Sequence, residues 1–72
     1  MALNKEDRTY VANCASLENH LYHCERVAFW LARTLEWKSR DSDIAKVSYK
    51  RALKNYQSNQ AIALAMAKKL IG

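Results

Sequence analysis

Proline is absent from these 72 residues, and the only glycine is the last one. A chain with neither residue inside it has no glycine-rich loop to cradle a phosphate and nothing that forces a helix to stop. Carboxylates are scarce as well, seven against twelve lysines and arginines, and they are scattered. No acid and base pair therefore stands out for proton-transfer chemistry. No apolar run is long enough to cross a bilayer, and the first residues, Met1 to Asp7, place no basic stretch before an apolar one, as a secretory signal would. These absences predict a cytoplasmic, non-enzymatic chain with no cofactor, no metal and no membrane span.

What is present is a repeated spacing. Tyr10, Cys14, Leu17, Leu21, Cys24, Ala28, Leu31 and Leu35 recur at alternating intervals of four and three, and so do Ala45, Tyr49, Ala52, Tyr56, Asn59, Ala63, Met66 and Leu70. Such spacing keeps one narrow stripe of a helix turned toward a partner helix. The prediction is an all-α, two-helix antiparallel hairpin filling a single domain, 1–72, with helices over about 5–37 and 44–71 and a turn over about 38–43. Asn4 reads as the first N-cap, with Asp7 three residues on. Ser39, Asp41 and Ser42 are cap candidates at the turn, and Lys68 and Lys69 suit the negative end of the second helix. Facing the stripes across the turn pairs Leu35 with Ala45, Leu31 with Tyr49 and Leu21 with Asn59, the one polar layer.

Cys14 and Cys24 lie ten positions apart on the expected first helix, about 15 Å at its rise, and are too distant to bond to each other. As stripe members they are expected to be buried and reduced. His20, His23 and Cys24 are the only cluster resembling metal ligands or a thiol with its base. Nothing else in the chain completes a metal site or supplies a catalytic pocket.

A hairpin this small buries one stripe per helix and has a reason to self-associate. One flank, with Val11, Tyr22, Phe29, Leu53, Leu64 and Ile71, is expected to pair two copies into a homodimeric four-helix bundle. The other flank, with His23, Val27, Trp30, Trp37, Ile44 and Arg51, is the expected partner-binding surface, since tryptophan and arginine dominate binding hot spots. The exchanged assignment, with the tryptophans between subunits, stands beside it.

Charge is unevenly placed. Residues 1–37 hold four basic against five acidic side chains, whereas residues 38–72 hold eight against two. Lys46, Lys50 and Lys54 recur every fourth residue as a ridge that, with Arg51, can follow phosphates. Small dimeric hairpins that bind RNA through a helix face are an architectural parallel, without a shared motif. The expected function is a homodimeric regulator or inhibitor that occupies a surface of a larger protein, in the manner of a phage- or mobile-element-encoded antagonist of a host or defence complex. Nucleic-acid binding along the lysine ridge is the alternative.

Overall fold

The computed structural model describes residues 3–72. Among the described residues there are three helices and no strand: α1 (Lys5–Cys14), α2 (Leu17–Lys38) and α3 (Asp43–Ile71). Helices α2 and α3 form an antiparallel hairpin, and α1 folds back across one side of it, giving a body of 44 × 21 × 13 Å. None of the helices is long and apolar enough to cross a membrane.

Capping explains where each helix begins. Asn4 accepts from the Asp7 amide at 2.7 Å, as expected, and Ser42 accepts from the Ala45 amide at 3.1 Å to start α3. The connecting turn is Ser39–Ser42, slightly shorter than predicted, with the Ser39 amide bonded back to Leu35. At the far end Lys68 and Lys69 occupy the last turn of α3, and Gly72 takes the positive φ of 102° that closes it.

The expected helix over 5–37 is instead two helices. Ala15 and Ser16 are extended, the Ser16 hydroxyl accepts from the Asn19 amide at 3.0 Å, and Asn19 Nδ2 donates to the Cys14 carbonyl at 2.6 Å. A serine and an asparagine three residues apart thus each satisfy one of the groups that the two helix ends leave open, and no glycine or proline is needed for the break.

The first stripe is also corrected. Leu17, Leu21, Leu31 and Leu35 are 67%, 54%, 40% and 57% exposed, and Cys14, Cys24 and Ala28 are exposed with them. The side of α2 turned toward α3 is the set one position back: His20, His23, Val27, Trp30, Thr34 and Trp37, all buried or half-buried. One position turns a helix by about 100°, enough to move a stripe from the core to a flank. The physical reason lies in the opposing surface. Helix α3 keeps its predicted stripe from Ala45 to Met66, with Ala45, Ala52, Ala63 and Met66 buried and only Leu70 at its end exposed, and this alanine-rich groove has room for indole rings. Trp37 sits with Ala45 and Tyr49, and Trp30 with Ala52. Two tryptophans against alanines remove more apolar surface than leucines at the same layers, so the tryptophan phase wins.

Helix α1 closes the other end of the hairpin. Val11, Ile62 and Met66 form its buried cluster, with Leu3, Tyr10, Ala15 and Ala65 packed around it. Lys69 Nζ donates to the Ala12 carbonyl at 2.8 Å, fastening α1 to the end of α3. Val11, expected between subunits, is therefore part of the core of one chain.

Candidate functional site

A polar relay centred on the buried His23 ties the three helices together. Asn59 Nδ2 donates to the Asn55 carbonyl at 2.8 Å, which turns its Oδ1 toward His23 Nδ1, 2.9 Å away. An acceptor there requires the proton on Nδ1, so a neutral His23 accepts at Nε2 from the Tyr10 hydroxyl, also at 2.9 Å. Tyr10 and Tyr22 meet the His23 ring edge-on at 5.5 and 5.0 Å between centroids. Burial first, then the neighbouring Cys14 and Tyr22, hold the Tyr10 phenol above its usual pKa. The partner of Asn59 is thus His23, not Leu21. His23 is spent inside the fold and is not part of an outer binding surface.

The hairpin presents two unlike faces. On the side that α1 partly covers, Arg26, Arg33 and Arg40 recur every seventh residue among aromatic rings. The Arg26 guanidinium lies 4.8 Å from the centre of Phe29 and 5.4 Å from that of Trp30, Arg33 lies 5.5 Å from Phe29, and Arg40 4.8 Å from Trp37. Glu36 pairs with Arg33 at 3.3 Å and with Arg40 at 3.1 Å, both exposed, so these pairs add little stability while offsetting one of the three arginine charges. Phe29, Trp30, Arg33, Trp37, Ser48, Arg51 and Ala52 line an open groove of about 290 Å³ here. The expected neighbours Trp30 and Arg51 do share this groove, whereas Trp37 lies against Ala45 and Tyr49 and is not paired with Ile44, which is exposed beside Val47 and Arg51. Val27, Trp30 and Trp37 are half-buried in the hairpin and offer only their outer edges. Arg26 and Arg33 were not singled out from the sequence, although the seven-residue spacing of Arg26, Arg33 and Arg40 among aromatics is visible there.

The opposite face carries the exposed α2 stripe: Leu17, Leu21, Cys24, Ala28, Leu31 and Leu35, about 27 Å long at the helical rise. Beside it an apolar pocket of about 200 Å³ is lined by His20, Cys24, Val27, Gln60, Ala63 and Leu64. Helical phase puts Leu53, Leu64 and Ile71 of α3 on this side, and Tyr22 and Phe29 on the other. The expected interface set therefore divides between two faces: Leu64 and Ile71 are exposed and Leu53 half-buried on one, Tyr22 and Phe29 exposed on the other.

Lys46, Lys50 and Lys54 are exposed and run along the outer side of α3, and at the turn end Lys46 lines an open pocket together with Arg40. Their charge and that of the arginines thus form two tracks that meet at the turn. Cys24 Sγ lies 3.5 Å from His20 Nε2, and His20 Nδ1 is buried without a protein partner. Among the described residues, no three His, Cys, Asp or Glu side chains converge as metal ligands. Comparisons of the chain with family models, with curated proteins and with solved structures find no match.

Proposed function

We propose that this chain is a non-enzymatic protein-binding module that pairs with itself through the leucine stripe of α2 and holds a larger partner protein against its arginine-aromatic groove. The observation that carries the reading is the unburied stripe. An exposed apolar row about 27 Å long is the kind of patch that soluble monomers seldom leave open and that interaction surfaces use. A dimer covering it completes a four-helix bundle, with the grooves turned outward on both sides. Each groove and its surroundings present guanidinium groups against aromatic rings, Arg33 on Phe29 within it and Arg26 and Arg40 beside it, a combination frequent at the centres of protein interfaces and suited to a partner bearing carboxylates.

Affinity capture from the native host tests the partner half of the proposal. The same protein should be retained by the unaltered chain and lost with Phe29→Ala or Arg51→Glu, while Lys50→Glu retains it. Retention unchanged by both groove variants would overturn the choice of surface. Nucleic-acid binding is favoured by one observation only, that Lys46, Lys50 and Lys54 are exposed and in no salt bridge among the described residues. That reading requires retardation of mixed RNA and DNA at low salt that fades as salt rises, and its removal by Lys50→Glu.

A further inference from the structure

The order of residues within the leucine stripe goes further than its exposure. Resting on the dimer reading above, we infer that the second copy docks antiparallel, α2 against α2, about a two-fold axis beside Arg26. From Leu17 to Leu35 the stripe reads leucine, leucine, small, small, leucine, leucine, and it reads the same from either end. Antiparallel pairing about its centre sets Leu17 on Leu35 of the second copy, Leu21 on Leu31, and Cys24 on Ala28. A two-fold contact needs a self-complementary patch of this kind. The small pair sits where two crossing helices come closest, and the leucines fill the space as the helices diverge.

Two alternatives fit less well. A parallel pair would align the two helix dipoles and place like ends together, Glu18 by Glu18 and Lys38 by Lys38. The antiparallel pair opposes the dipoles and brings the Glu18 end of each helix to the Lys38 end of the other. Docking of α2 on α3 of the second copy would set Leu31 and Leu35 against the side of α3 that carries Lys50 and Lys46, and Leu21 against Gln60. That arrangement sets leucines against polar groups, whereas α2 on α2 sets leucine on leucine. Helix α1 lies on the opposite side of the hairpin and leaves the stripe accessible.

Spin labels placed singly at Glu25→Cys or Lys38→Cys, both in a Cys14→Ser, Cys24→Ala chain, read the arrangement through label-to-label distances. Both positions are exposed. The antiparallel pair predicts a short separation at position 25, under about 20 Å, and a long one at position 38. The latter should be about 36 Å or more, since the two sites then lie some 24 helical positions apart. Similar separations at both positions would overturn the antiparallel register while keeping the dimer. Absence of coupling at both, together with a single-chain mass, would remove the dimer itself and this inference with it.

Discussion

Two stripes with the same spacing meet opposite fates in this fold. The stripe of α3, from Ala45 to Met66, lies against α2 and, at Met66, against α1, and four of its residues are buried. The stripe of α2, from Leu17 to Leu35, is exposed along its length. Each marks a helix that wants a neighbour, and the spacing alone does not say which neighbour. Packing inside one chain goes to the largest side chains and to the polar groups that find partners, here Trp30, Trp37 and the Tyr10-His23-Asn59 relay. The leucines, smaller and interchangeable, are left over for contact with another molecule.

Substitutions at matched points of the two stripes should therefore separate strongly. Met66 is fully buried, so Met66→Ala is expected to cost about 2–5 kcal/mol of folding stability in urea or thermal unfolding. Leu31→Ala, at the same kind of position on the other stripe, should cost under about 0.5 kcal/mol when the chain is too dilute to associate. Equal costs would erase the distinction. Next in size, Asn59→Leu strands the His23 Nδ1 donor in the hairpin and is expected to cost about 1–3 kcal/mol. Ser16→Ala removes the cap that starts α2 and should cost about 1 kcal/mol, with a small loss of helical circular dichroism.

The smallest effect concerns pH. The Tyr10 phenol ionises later in the folded chain than in the unfolded one. Its contribution is thus fully present below the usual phenol pKa near 10 and is lost as pH rises through the raised folded value. Alkaline titration followed by phenolate absorbance should show one late tyrosine that is absent in Tyr10→Phe.

Much of this architecture was legible from residues. The Asn4 and Ser42 caps, the turn, the span of α3 and its buried stripe follow from spacing and cap chemistry. The break at Ala15-Ser16 was harder to see, because its signal is a Ser-x-x-Asn pair inside an otherwise continuous helical pattern. The phase of α2 was hidden for a different reason. Its sequence supports two apolar stripes about 100° apart, and the choice between them depends on the shape of α3, which no local pattern in α2 contains. The functional surfaces follow the same division. The tryptophan flank, read as a partner-binding surface or, exchanged, as the subunit interface, is half consumed by the hairpin, and the arginines at positions 26, 33 and 40 become a surface only once Phe29 and the tryptophans are placed beneath them.

The central claim is that the α2 leucines are covered by a second copy, and solution mass tests it most directly. Light scattering at micromolar concentration should give about twice the 8.3 kDa of one chain. Leu21→Glu with Leu31→Glu should return the mass to that of one chain while helical circular dichroism is retained. A mass of 8.3 kDa for the unaltered chain, or a dimer indifferent to both glutamates, would contradict the account.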